Sequence, residues 1–303
     1  MNSKLRLGQA AALITILIWG TTFISTKVLL TALSPIEILF LRFVIGYLAL
    51  WLAAPRRLVL TERKQEGWFA AAGLCGVALY YGFENLALSM TQASNVGVII
   101  SIAPFFTVLF SAVFLKQKRP GLRFFLGFLM AMAGIMLISF NQQAVEIHPL
   151  GDGLAVIAAM IWAIYCLISR KISELGYNVL LTTRRTFFYG LLLMLPLVMT
   201  QFSADFQILS EPSVLLNLVF LGIGASALCF VTWNYAVGIL GSVKTSVTIY
   251  MVPMITAAAS AWVLHEPLTP RVILGLGLTL GGLLLSQKIN QEKEQKEQNG
   301  ILE

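Results

Sequence analysis

Long apolar stretches, each separated from the next by a short charged or turn-rich interval, fill most of this 303-residue chain. They run from Gly8 to Leu30, Pro35 to Ala54, Gly67 to Leu88, Ser94 to Leu115 and Leu122 to Phe140, then from Gly151 to Ile172, Val179 to Thr200, Val214 to Val237, Val243 to Leu264 and Val272 to Ser286. A helix needs about 20 apolar residues to cross the hydrocarbon of a bilayer. The runs lack the period-two alternation that a lipid-facing barrel strand must show. In lipid each backbone amide must find its partner within its own segment, so the pattern predicts an all-α polytopic membrane protein with ten transmembrane helices.

The pattern also repeats. At an offset of about 149 residues, Asn85 meets Asn234, Val98 meets Val247, Pro104 meets Pro253, Thr107 meets Thr256 and Ser111-Ala112 meets Ser260-Ala261. At an offset of about 143, Trp19 meets Trp162, Lys27 meets Arg170 and Arg42 meets Arg185. This predicts a first repeat over residues 7–140, a second over 151–286 and a polar tail over 287–303. With five spans in each copy, the second inserts upside down relative to the first, as in many secondary transporters.

Composition sharpens the topology. Hydrophobic residues make up 58% of the chain and charged residues 12%, far below the roughly one quarter usual in soluble domains. Lys4 and Arg6, the clusters Arg56-Arg57-Arg63-Lys64 and Lys116-Lys118-Arg119-Arg123, Arg170-Lys171, Lys244 and the tail lysines all fall on one side of a ten-span arrangement. Arg271 is the one poor fit. This places both termini in the cytoplasm of a cell whose inner (plasma) membrane holds the protein, and makes the net charge of +7 a topology signal rather than a nucleic-acid surface. Lys4 and Arg6 resemble a signal-peptide n-region, yet the apolar run after them is too long and lacks a cleavage pattern, so it reads as a retained span. Cys75, Cys166 and Cys229 lie in separate spans and read as packing residues.

Ionisable groups inside spans cost about 3 kcal/mol or more to bury, so each needs a reason. Arg42 and Arg185 lie at similar depths and either approach a shared midplane cavity, snorkel to headgroups or pin a neighbouring helix end. Glu84 either carries a coupling proton or a substrate amine, or forms an ion pair near the interface. Asn85 and Asn234 bond across helices or touch a ligand. Trp19 and Trp162 fall mid-span, where a cavity wall or tight packing suits them better than a headgroup anchor, and Tyr250 joins them as a cavity residue. Pro104 and Pro253 mark places where helices bend. Glycines in the fifth and last spans, including Gly127, Gly134, Gly275, Gly277, Gly281 and Gly282, read as close helix contacts. No Walker-type loop, metal motif or nucleophile elbow is present; Ser226, in Gly-Ala-Ser-Ala, reads as packing. The expectation is a carrier without cofactor or metal rather than an enzyme. A membrane-embedded enzyme or a channel remains the rival reading.

Ile18-Trp19-Gly20-Thr21-Thr22-Phe23, Arg42-Phe43, Ala93-Ser94-Asn95-Val96-Gly97 leading to Pro104, and Leu264-His265-Glu266-Pro267-Leu268-Thr269 leading to Gly275 resemble the EamA-type branch of the drug/metabolite transporter superfamily. The resemblance spans Leu7 to Ser286. It implies a carrier of small metabolites, often an exporter of amino acids or related compounds, with the first four helices of each repeat around a central cavity and the fifth of each at the periphery. Uptake or exchange of an organic anion or nucleotide-like metabolite is the alternative, and either a monomer or a homodimer fits. The chain departs from the family pattern at Lys116-Gln117-Lys118, where a Glu is usual.

Overall fold

A computed structural model describes residues 3–91, 93–115, 120–139, 148–203, 206–255 and 269–299. The Lys116-Gln117-Lys118 departure, His265, Glu266, Thr256, Ser260-Ala261 and loop residues 141–147 lie outside the described residues.

Among the described residues the chain is helical throughout, without strands. The first half contains α1 (Ser3–Leu29), α2 (Pro35–Ala53), α3 (Glu66–Gly73), α4 (Tyr80–Met90), α5 (Ala93–Ile100), α6 (Ala103–Phe114) and α7 (Leu122–Ser139). The second contains α8 (Pro149–Glu174), α9 (Val179–Gln201), a short α10 (Phe206–Leu209), α11 (Pro212–Val219), α12 (Cys229–Leu240), α13 (Ser242–Val247) and α14 (Pro270–Asn299). Five helical stretches among the described residues are long and apolar enough to cross a membrane: Ser3–Leu29, Pro35–Ala53, Val96–Phe114, Pro149–Glu174 and Pro212–Leu240. Leu122–Leu137 and Pro270–Ser286 are apolar but shorter.

Local chemistry sets the helix starts. Ser34 and Glu37 form a reciprocal capping box at the head of α2, and the Asn178 side chain accepts from the Leu180 amide at the head of α9. The third span expected from the sequence runs as α3, a π-helical stretch over Leu74–Leu79, and α4; the expected eighth runs as α11, a π-helical stretch over Phe220–Leu228, and α12. The fourth span breaks after Ile100 and restarts at Ala103, with Pro104 in its first turn. The ninth tightens to a 3-10 turn over Thr248–Tyr250, just ahead of Pro253. Proline has no amide hydrogen to return to the preceding turn, so each interruption falls where its matched proline removes a helical bond.

The halves grip each other reciprocally. Gly46 of α2 faces the Gly222 carbonyl, which a Cβ at Gly46 would approach to 2.9 Å; Gly190 of α9 faces Gly73, where an added Cβ would stand 2.6 Å from the Gly190 amide nitrogen. Gly8 lies against Ile239 and Trp19 against Ala225, so α1 runs antiparallel to the eighth span. Likewise Gly151 lies against Met90 and Gly76 against Tyr165, so α8 runs antiparallel to the third. Gly127 abuts Gly282 and Ser286 while Gly134 abuts Gly275 and Thr279, making α7 and α14 an antiparallel pair through small residues. Gly277 has no atom near its missing Cβ, so it is not one of the close contacts expected for that helix.

Matched cations close equivalent helix ends. Lys27 donates to the Leu88 and Thr91 carbonyls, and Arg170 donates to those of Val237 and Gly238. Each places positive charge at the negative end of a helix dipole. The start of α1 meets the end of α12, the end of α2 meets the start of α9 through Arg184, and Tyr177 bonds Thr61 and Gln65. These contacts gather Lys4, Arg6, Arg56, Arg57, Arg63, Lys64, Arg170 and Lys171 at one end of the molecule.

Candidate functional site

Aromatic rings fill the centre where α1, α2, the third span, α8 and the eighth span converge. Trp19 packs against Trp162 and Trp233 with ring centroids 5.2 and 5.1 Å away, and Tyr80 lies 4.7 Å from Trp162. Beside them Phe43 meets Tyr81 at 5.2 Å and Phe187 meets Phe230 at 5.0 Å, with Phe43 and Phe187 themselves 4.8 Å apart. Phe43 and Phe187 hold the same place in the two repeats, as do Tyr81 and Phe230. Such offset and edge-to-face pairs each add about 1 kcal/mol beyond their buried area, so the cluster is a stiff wall.

A small cavity opens inside this wall. About 40 Å³, room for a few water molecules, is enclosed by Trp19, Thr22, Tyr80, Tyr81, Glu84 and Trp162, with Ser101, Ile249 and Val252 from the interrupted spans completing it. Glu84 is 6% exposed, and its Oε2 has no hydrogen-bond partner among the described residues. Arg42, 2% exposed, stands behind Tyr81 with its guanidinium carbon 4.3 Å from the ring centroid. Its Nε donates to Ser226 Oγ at 3.0 Å, and its Nη2 has no described partner. A buried guanidinium and a buried carboxyl, each with an unbonded atom, thus lie close to one tyrosine. Leaving a buried polar atom unbonded costs about 1–3 kcal/mol, more when it is charged.

Beyond the aromatic layer lies a larger vestibule of about 400 Å³, lined by residues including Tyr165, Ser169, Thr182, Thr186 and Asn234. Asn234 accepts from Tyr165 and Ser169 at 2.7 Å each and donates to Thr183 at 3.1 Å. The vestibule opens at the end that carries the basic clusters. The first-repeat matches of this lining, Thr22, Thr26, Ile38, Arg42 and Asn85, are all buried, and at that opposite end Leu29, Leu33 and Ile38 also pack against Val214, Leu218 and Leu221.

The expected pairing of Arg42 with Arg185 around one cavity does not occur. Ser34 and Asn178 cap α2 and α9; eight residues beyond each cap stand Arg42 and Thr186, so Arg185 is one position out of register. One residue turns a helix by roughly 100°. Arg185 therefore points to the rim, where Nε bonds Glu66 Oε2 at 2.9 Å, Nη2 bonds Glu66 Oε1, and Nη1 bonds the Leu58 carbonyl at 3.0 Å. Tyr189 donates to the same carboxylate at 2.7 Å.

Of the remaining expected site residues, Trp19, Glu84 and Trp162 line the central cavity and Asn234 the vestibule. Asn85 instead donates to the Pro35 carbonyl at 3.2 Å. Tyr250 is fully buried among Val98, Ala131, Ile135 and Leu283, away from both spaces. The sequence reads Ser226 as a packing serine, whereas it accepts from Arg42 and so orients it; sequence reasoning passed over Ser101, whose hydroxyl donates to the Gly97 carbonyl beside the break in the fourth span. Only the proximity of Ser101 to Pro104 hinted at it.

Bundled apolar helices, a wall of aromatics around buried charges and a vestibule open at one end define a membrane transporter. The sequence pattern of the EamA-like transporter family matches residues 6–140 and again 149–287, and the chain belongs to that family. An Archaeoglobus fulgidus protein named an uncharacterized transporter is 28% identical over 292 residues, covering 94% of this chain and 98% of the relative. A Streptantibioticus cattleyicolor protein named a probable terminal-alkyne amino-acid exporter is 25% identical over 285 residues, covering 93% and 94%. A crystal structure with a TM-score of 0.76 covers 95% of this chain and 98% of its own at 22% identity, and shares the fold.

Proposed function

We propose that this chain is a secondary carrier that exports amino acids or related amphipathic organic ions by alternating access. Its ten spans form two inverted repeats over residues 7–140 and 151–286, with both termini and the 287–303 tail in the cytoplasm. The reading rests on one observation: Arg42 and Glu84 flank Tyr81 with unbonded charged atoms next to an apolar ring-lined cavity. An amino acid offers a carboxylate to the guanidinium, an ammonium to the carboxylate and an apolar side chain to Trp19, Trp162 and Tyr80.

Reciprocal glycine crossings and the antiparallel α7–α14 pair support inversion. The gathering of basic clusters at one end supports that end as the cytoplasmic one. An open vestibule at that end and a sealed counterpart at the other support a state facing inward, with the 40 Å³ cavity closed until a substrate widens it. Matched interruptions before Pro104 and Pro253 support these as hinges. The relative named an amino-acid exporter supports the substrate class.

Counterflow in proteoliposomes tests the reading. Vesicles preloaded with a panel of amino acids should accumulate labelled apolar amino acids saturably and without chemical conversion. Flux confined to organic anions, or a converted product without flux, would sink it. Accessibility tags at Gln65 and Gln142 should report opposite compartments; one shared compartment would dispose of inversion.

A further inference from the structure

A third space lies on the outside of the bundle, at the end where α2 stops and α9 begins. It measures about 360 Å³ and is bounded by Arg57, Arg184, Arg185, Tyr47, Phe188 and Tyr189. Arg185 is neutralised by Glu66, but the other two guanidinium groups have no carboxylate partner among the described residues. Arg184 is 8% exposed and gives two of its five guanidinium hydrogens to the Ala54 and Arg56 carbonyls. Arg57 is exposed and makes no hydrogen bond to a described residue.

Below these charges the wall becomes apolar. Tyr47 and Phe188 pair across the α2–α9 seam with centroids 6.4 Å apart, and the exposed Leu48 and Trp51 extend the surface along α2. Cations at a helix end above an aromatic and aliphatic strip complement a molecule with an anionic head and apolar chains. We infer that this cleft binds an anionic phospholipid, its phosphate held by Arg57 and Arg184 and its acyl chains laid along Tyr47, Phe188 and Trp51. The site is separate from the transport cavity and requires only that the helices lie in a bilayer.

Native mass spectrometry of the full chain, with palmitoyl-oleoyl phosphatidylglycerol or phosphatidylcholine added to the detergent, tests the inference. The unmutated protein should retain phosphatidylglycerol in preference to phosphatidylcholine. Loss of one near-surface cation should lower that retention about fivefold in Arg57→Gln. Arg57→Lys should keep most of it, and Lys4→Gln, at a basic position that does not line the cleft, should leave it unchanged. Arg57 is exposed in a loop, so its replacement leaves helix packing intact. Equal retention of both lipids, or undiminished phosphatidylglycerol on Arg57→Gln, would overturn the assignment. Displacement by millimolar inorganic phosphate would also overturn it, reassigning the cleft to a soluble anion.

Discussion

Arg42 and Arg185 differ by one step of register, and that step separates two kinds of chemistry. Arg42 is buried against Tyr81 with a nitrogen left unbonded, while Arg185 spends its hydrogens on Glu66 and Leu58 at the rim. Arg42→Gln should therefore lower amino-acid counterflow at least tenfold at normal abundance, whereas Arg185→Gln should change it by less than threefold. Equal losses in both variants would return Arg185 to the site. Glu84→Gln keeps the shape and removes the charge, so it should raise the half-saturating concentration for amino acids more than for a matched carboxylic acid lacking the amine. Both kinetic comparisons are measured in the same proteoliposomes.

At the level of elements, the glycine crossings and the broken spans matter most. A Cβ at Gly73 would meet the α9 backbone at 2.6 Å, and one at Gly190 would meet the Val77 side chain at 2.4 Å. Backbone yields less than a side chain, so Gly73→Ala should destabilise the protein by about 1–3 kcal/mol, more than Gly190→Ala. Thermal unfolding in detergent followed by circular dichroism gives the comparison, and the reverse order would contradict the argument. The interruptions make a different prediction. Pro104→Ala restores an amide hydrogen to the fourth span, so it should raise thermal stability or leave it unchanged while slowing transport. A variant as fast as the unmutated protein would deny that break a role in the transport cycle.

For the whole molecule, the decisive feature is the inequality of its two ends. A cysteine at Thr182, in the vestibule, should react with a water-soluble thiol reagent from the basic end above the background of Cys75, Cys166 and Cys229. A cysteine at Ile38, sealed in the opposite cluster, should react at least tenfold more slowly from either side. Substrate added at the far end should narrow the gap, and equal rates without substrate would contradict an inward-facing state. Much of this architecture was legible beforehand. Apolar run length reveals helices because lipid leaves the backbone no other partner, and recurring Trp19 with Trp162 or Pro104 with Pro253 exposes the duplication. The mid-span charge at Glu84 was legible for the same reason, since burial makes such residues rare. What the chain alone left open was which side chains meet. Counted from the helix cap, Arg185 stands one position earlier than Arg42, and that step rotates it out of the centre. Asn85 and Asn234 are matched in sequence yet bond differently, because one faces the Pro35 carbonyl and the other an open vestibule. Periodicity and repetition along the chain determine the helices and their duplication, and place Tyr81 and Glu84 one turn apart on α4; rotation about each helix axis, and hence the approach of Arg42 to that face, was decided only when neighbouring helices packed.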